Sequence, residues 1–249
     1  MIPKIIHQIW IQGYDQIPND LKILHIGCQN INNDFEHILW DDDKIKNLLK
    51  KYYGKKYLET YESFTIMAQK ADFARYAILY KYGGIYLDMD MVCRKNLSFF
   101  LQYNFFFTAY LFHEYLKRYL NGIIGSIPNH PVFLIIFKNI FKRRHLINDV
   151  HKSTGTELFY DSVTEYAKIN PKHDMILVDR KYLHPCNINN DENCPYTCTD
   201  CYIAHTNYSS WSPGLRFFKV IIKYRYIILI ILLVIIVIIL FFKCGIIEL

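Results

Sequence analysis

The apolar positions change period several times along the chain and end in one unbroken apolar run. Residues 5–11, IIHQIWI, read as a first strand, and residues 17–49 as helix, turn, strand and helix, with the second strand over 35–40. Asp41, Asp42 and Asp43 directly precede the helical pattern IKNLLKKYYG. Acids there cap a helix and complement its dipole, so they are assigned to capping rather than to a metal. Residues 52–63 read as a polar, aromatic connection.

The chain is organised around residues 70–92, KADFARYAILYKYGGIYLDMDMV. Ala71, Ala74, Ala77 and Ile78 recur at helical spacing, and Gly83-Gly84 supplies a left-handed stop. Residues 85–92 are short, apolar and glycine-bounded, which predicts a buried strand. A period of two sends Asp88 and Asp90 to the same side of it, about 7 Å apart at their Cα atoms. Asp72 and Arg75 are three apart and share a helix face. Three carboxylates and a guanidinium therefore surround one helix-to-strand turn.

Further on, residues 93–107 lead into a second apolar run, followed by a segment dense in Phe and Tyr. A helix is predicted over 132–141, closed by Lys142, Arg143, Arg144 and His145, whose charges suit its C-terminus. Asn121 and Ser126 read as turn residues that could border a pocket. The uncharged run 226–242 is almost entirely Ile, Leu, Val and Phe. As a helix it is roughly 25 Å long, which predicts a C-terminal transmembrane anchor. The expected organisation is a catalytic domain over 1–215, a basic juxtamembrane segment over 216–225, a transmembrane helix over 226–242 and a short tail over 243–249. Arg216, Lys219, Lys223 and Arg225 precede the run and favour a cytosolic catalytic domain. The sequons at Asn96 and Asn207 lean the same way, since a glycan there would obstruct the expected site. Residues 1–10 do not read as a signal peptide, because Pro3, His7 and Gln8 interrupt them.

The net charge of +6 is modest, and no basic stripe interleaved with exposed aromatics points to nucleic acid. Cys186, Cys194, Cys198 and Cys201 do not have zinc-ribbon spacing. A structural zinc site, free thiols and disulfides all remain open, with zinc or free thiols placed ahead because of the cytosolic topology.

Acids within an apolar strand need a physical reason, because an isolated buried carboxylate is costly unless paired, hydrogen-bonded or metal-bound. A divalent cation removes the repulsion between two carboxylates on one face. Oxygen ligands suggest Mg²⁺ or Mn²⁺, ions that also bind phosphate oxygens. A diphosphate held in that way leaves readily, which is the chemistry of nucleotide-sugar transfer.

The string ADFARYAILYKYGGIYLDMD resembles the DXD-containing sugar-transferase family, which includes the yeast initiating α-mannosyltransferase and inositol-phosphorylceramide mannosyltransferases. The opening IPKIIHQIW and the block at 121–131, NGIIGSIPNHP, resemble the same family, as does AHTNYSSW at 204–211. Thr156 departs from its S-T-G-P pattern, and His184-Pro185 stands where the family has an aromatic-Pro strand end. The resemblance implies an α/β, GT-A-like (Rossmann-like) domain that moves a hexose from GDP-mannose or UDP-glucose to a lipid or glycan acceptor, with retention. It implies Asp90 as the direct ligand of Mn²⁺ (or Mg²⁺), with help from Asp88 and with His205 as a further ligand. Asp88 would also hold ribose or sugar hydroxyls, and Asp72 and Arg75 would orient the donor sugar. Trp10 would lie beside the base, with Gly13 near, and Ser209 (or Ser210) and Trp211 would close over the diphosphate. From the residues alone, Trp10 reads as a core aromatic ahead of a base-side residue, and His7 as a hydrogen-bonded core histidine. Many members of the family work in the Golgi lumen, which leaves the opposite topology open.

Two other readings exist. Asp88-Met-Asp90-Met-Val92 also fits the D-x-D-x-V signature of haloacid-dehalogenase-type phosphatases, with Asp88 as nucleophile and Asp90 as acid/base. The second is an inactive, membrane-anchored binding module of the same fold.

Overall fold

The structure, a computed structural model, describes residues 1–146, 148–186, 193–206 and 208, together with 227, 229–231, 233–236 and 239. Two units divide the chain, 1–207 and 208–249.

The first unit begins with β1 (Ile5–Ile9), α1 (Asn19–Ile31), β2 (Glu36–Trp40), α2 (Asp42–Tyr52), α3 (Lys55–Ser63) and α4 (Met67–Tyr82). It continues through β3 (Gly84–Leu87), β4 (Met91–Cys93), β5 (Phe105–Ala109), α5 (His113–Leu116), β6 (Tyr119–Ser126) and α6 (Val132–Arg143). The last elements are α7 (Val150–Ser153), α8 (Thr156–Ile169), β7 (Met175–Leu177), α9 (Arg180–Leu183), α10 (Cys194–Thr197) and β8 (Ile203–His205). The strands form a mixed sheet ordered β2-β1-β3-β6-β5-β7, and β4 pairs with β8 in a separate ladder. β1 runs parallel to both β2 and β3, whereas β6 is antiparallel to β3 and β5.

Apolar side chains build two cores. One joins Phe73, Tyr76, Ala77 and Ile78 of α4 to Phe133, Ile136 and Phe137 of α6 and to Leu158 and Phe159 of α8. The other joins Ile6, Ile85, Leu87, Phe106 and Ile123 of the sheet to Met91 and Ile203 of the small ladder. So α4 is buried along most of its length, with Asp72 and Arg75 inside that packing. Its C-terminus stops where the glycine pair predicts. Gly83 adopts φ 64°, and its N–H donates to the Leu79 carbonyl at 2.8 Å.

Several expectations hold at residue level. Asp41 caps α2, its Oδ1 accepting from the Lys44 N–H at 2.8 Å. His7 is a core histidine. Its Nε2 donates to the Gly83 carbonyl at 2.9 Å and its Nδ1 accepts from Trp40 Nε1 at 3.2 Å. Burial lowers its pKa to about 4, so the ring is neutral near pH 7.

Others are corrected. The run predicted as one strand over 85–92 is two strands, with a turn at 88–90 between them. The Asp88 N–H still donates to the Gly122 carbonyl at 2.9 Å. The chain then leaves the sheet so that Met91, Val92 and Cys93 can pair with β8. Asp88 and Asp90 are thus presented by a turn, not by a shared strand face. The connection over 52–63 is largely the helix α3, whose Thr60 and Tyr61 are buried. Asn121 and Ser126 lie in β6 rather than in a turn. The cysteines expected as a zinc site or free thiols form disulfides instead, Cys186–Cys194 and Cys198–Cys201, with Cα atoms 5.9 and 5.8 Å apart. Pairing consumes the thiolates that a tetrahedral zinc site would need. A third disulfide, Cys28–Cys93, ties α1 to β4 with a Cα separation of 5.0 Å.

In the second unit, the described residues between 227 and 239 are helical and exposed. Of the predicted transmembrane helix over 226–242, residues 226, 228, 232, 237, 238 and 240–242 lie outside the described residues, and among those described no helix is long and apolar enough to cross a membrane.

Candidate active site

The C-terminal ends of β1 and β3 and the middle of β6 meet the buried face of α4. Asp72 is buried there with every oxygen engaged. Its Oδ1 faces Arg75 Nη2 at 3.1 Å and accepts from Asn121 Nδ2 at 2.9 Å, while its Oδ2 accepts from Thr154 Oγ1 at 2.9 Å. Burial pushes the Asp72 carboxyl up to about 6, against the opposing pull of Arg75.

Arg75 is the hub. Nη2 also reaches Asp88 Oδ1 at 3.2 Å, Nη1 donates to the Asn121 carbonyl at 2.6 Å, and Nε points to the Ala71 carbonyl at 3.4 Å. The guanidinium stacks over the Tyr86 ring at 4.4 Å, and the Tyr86 hydroxyl donates to Asp88 Oδ1 at 2.7 Å. Burial alone would weaken the hold of Arg75 on its proton, but Asp88, Tyr86 and Asp72 more than reverse that. Most of its donors are therefore committed within the protein. It orients Asp72 and Asp88 rather than reaching outward.

Asp88 is half-buried, with one oxygen held by Arg75 and Tyr86. The other lies against Gly122, where an added Cβ would come within 2.5 Å of Oδ2. Asp90 ends the turn. Its carbonyl accepts from the Thr206 N–H at 3.0 Å, and its Oδ1 lies 3.3 Å from His205 Nε2. The β4–β8 register places Met91 opposite His205, which brings the histidine to the turn. Among the described residues, Asp88, Asp90 and His205 offer ligand atoms that all lie within 4.8 Å of one another. Two oxygens and one imidazole nitrogen suit Mn²⁺ better than Mg²⁺. The residues present fit the ion that the pattern implies.

Two further rings belong to the neighbourhood. His184 is buried beside His205, the centroids 5.8 Å apart, and neither of its nitrogens has a hydrogen-bond partner among the described residues. Burial, then His205 and Arg180, lower its pKa to about 3. Tyr110 packs on His184 at 5.7 Å, and burial together with Asp88 raises its hydroxyl to about 12.

Trp10 follows β1 directly, its N–H bonded to the Trp40 carbonyl at 2.9 Å, and its buried Nε1 lacks a partner among the described residues. Ser209, Ser210 and Trp211 lie outside the described residues. The structure brings together Asp72, Arg75, Asp88, Asp90 and His205. Sequence reasoning missed Tyr86 and Thr154 and gave Asn121 no necessary role. Tyr86 stands inside the GGIYLD string and Thr154 inside Ser153-Thr154-Gly155-Thr156, where the family has S-T-G-P, but their roles arise only from tertiary contact.

Comparison with known proteins fixes the class. The family described as the glycosyltransferase sugar-binding region containing the DXD motif matches residues 19–106. An uncharacterized glycosyltransferase of Acanthamoeba polyphaga mimivirus is 60% identical over 92% of this chain and 91% of its own length. The chain belongs to the DXD-motif glycosyltransferase family. Inositol phosphoceramide mannosyltransferase 2 of Schizosaccharomyces pombe is 34% identical to this glycosyltransferase over 57% of the chain, an alignment that spans 39% of the yeast protein. The PaToxG glycosyltransferase structure superposes with a TM-score of 0.51 at 20% identity, covering 68% of this chain and 70% of that one, so the two share the α/β fold.

The phosphatase alternative is displaced by this membership. Its nucleophile would be Asp88, whose Oδ1 is already bound by Arg75 and Tyr86.

Proposed function

We propose that the chain transfers a hexose, mannose first, from a nucleotide sugar to a lipid acceptor, in a reaction that depends on a divalent cation. The observation that carries this reading is the junction of two clusters at Asp88: the buried Asp72–Arg75–Asp88 ladder and the Asp88–Asp90–His205 group. The name of the yeast relative, an inositol phosphoceramide mannosyltransferase, supports mannose and an inositol phosphoceramide-type acceptor. Retention of configuration follows from the family resemblance.

Asp90, Asp88 and His205 would hold Mn²⁺, which when bound supplies positive charge that stabilises a departing diphosphate. The chain's own residues then act by orientation. Arg75 fixes the rotamer of Asp88 through Nη2, and Tyr86 fixes the same oxygen from the other side. That leaves Oδ2 of Asp88, beside Gly122, as the acceptor for a ribose or sugar hydroxyl. Asp72, locked by Asn121 and Thr154, keeps Arg75 in register. Nε1 of Trp10, just past the end of β1 and without a partner among the described residues, supports a place for the base beside that ring.

The three disulfides support an oxidising compartment for the catalytic unit, against the cytosolic side that the basic residues before the tail favour. The uncharged run 226–242 supports membrane association.

The test is release of nucleotide from a panel of GDP- and UDP-sugars, with Mn²⁺ or with chelator. Metal-dependent release from GDP-mannose is expected. Absence of release from every donor, alongside Mg²⁺-dependent cleavage of a simple phosphate ester, would overturn the reading.

A further inference from the structure

The turn between β5 and β6 is the most apolar exposed segment close to the site. Leu111 is 45% exposed, Phe112 71%, Tyr115 89% and Leu116 44%, within six residues. A soluble surface rarely gathers large apolar side chains so densely without a partner. The turn is also held in an unusual shape. Phe112 and Lys117 bracket α5 at φ 60° and φ 50°, the left-handed region that bulky residues avoid. The Leu116 N–H donates to the Phe112 carbonyl at 2.9 Å, which closes the tip.

Both ends of the turn are anchored at the site. Tyr110, before it, packs on His184 beside His205. Tyr119, after it, lies between Phe107 and Tyr160 at 4.8 and 4.7 Å, two residues ahead of Asn121. The apolar tip therefore projects from the rim of the same site that holds Asp72 and Asp88.

We propose that this turn, residues 111–117, docks on a lipid bilayer, with Phe112 and Tyr115 entering the interface and the site facing the headgroups. Three observations select lipid as the occupant. Aromatic and Leu tips followed by the exposed Lys117 are the combination that settles at a bilayer interface. Of the net charge of +6, +4 lies in residues 208–249 around the aliphatic run, where Arg216, Lys219, Lys223, Arg225 and Lys243 complement an anionic leaflet. The sequence also carries the aliphatic run 226–242, whose composition suits a bilayer rather than a protein surface. The purpose of the docking rests on the proposed transfer to a lipid acceptor, and the docking itself can be read without turnover.

The test uses the full chain reconstituted into phosphatidylcholine–phosphatidylserine vesicles with brominated acyl chains. Bromine quenches only tryptophans that enter the lipid. Phe112→Trp and, as a control on the exposed part of α6, Leu134→Trp are each compared with the unaltered chain. Quenching of the added tryptophan at 112 that exceeds that at 134 severalfold is expected. Equal quenching at both positions, or none at 112, would overturn the proposal. Absent quenching at 112 with concentration-dependent dimerisation would assign the face to a second copy instead. Nucleotide release by the unaltered chain is followed separately, so loss of the transferase reading is distinguished from loss of the docking surface.

Discussion

Two regions around Asp88 are built on opposite principles. On the α4–β3 side, the Asp72 and Arg75 side chains are buried and partnered within the protein, and their partners come from residues 86–88, 121 and 154 as well as from α4 itself. On the rim formed by the β5–β6 turn, apolar side chains are exposed and the polar contacts are long, as in the Arg118–Glu157 pair at 3.8 Å. The first arrangement suits a set of carboxylates that must hold one geometry. The second suits a surface completed by something outside the chain. Substitution therefore has different consequences on the two sides.

The largest effect is expected at the hub. Arg75→Met leaves Asp72 as an uncompensated buried charge and should destabilise the fold by about 3–5 kcal/mol, read as a shift in the denaturation midpoint. Stability unchanged by this variant would break the comparison.

His7 gives the next effect, through pH. Its folded pKa of about 4 lies below the ordinary 6.5, so below pH 6.5 the unfolded chain binds the proton that the folded chain refuses. Its contribution is fully present above pH 6.5 and is lost as pH falls towards 4, about 3 kcal/mol in all. Denaturation curves of the parent and of His7→Gln across that window should diverge in slope, with the variant the flatter.

Thr154→Val keeps shape while deleting one hydrogen bond to Asp72, and should cost about 2 kcal/mol. Nucleotide release should fall with it, because Asp72 keeps Arg75 in register. At the other extreme, Arg118→Ala removes a partly exposed, long ion pair and should change stability by less than about 1 kcal/mol. A loss as large as that of Thr154→Val would show that the rim is as tightly built as the α4–β3 side.

The same contrast explains what the sequence made legible. Local signals were reliable: the glycine stop at Gly83, the cap at Asp41 and the shared helix face of Asp72 and Arg75 stand as read. The strand break at Asp88 was hidden, because residues 85–92 are uniformly apolar apart from the acids, and only pairing of β4 with β8 pulls the chain out of the sheet. The roles of Asn121 and Thr154 were hidden by distance, since they reach Asp72 across 49 and 82 residues. The Cys28–Cys93 disulfide, closing a separation of 65 residues, carries no spacing pattern at all. His205, distant too, was reached through a block that resembles the family. The apolar rim turn merged into a stretch dense in Phe and Tyr, whose composition does not tell an exposed turn from a buried one.

The central claim is that Asp88, Asp90 and His205 form the cation site on which nucleotide-sugar binding depends. Its most direct measurement is Mn²⁺ titration, by calorimetry, of the parent and of Asp90→Asn, each with and without GDP. The account predicts a single Mn²⁺ site in the parent that tightens with GDP, and loss of that binding in a variant that remains folded. Equal Mn²⁺ affinity in the two proteins would contradict it.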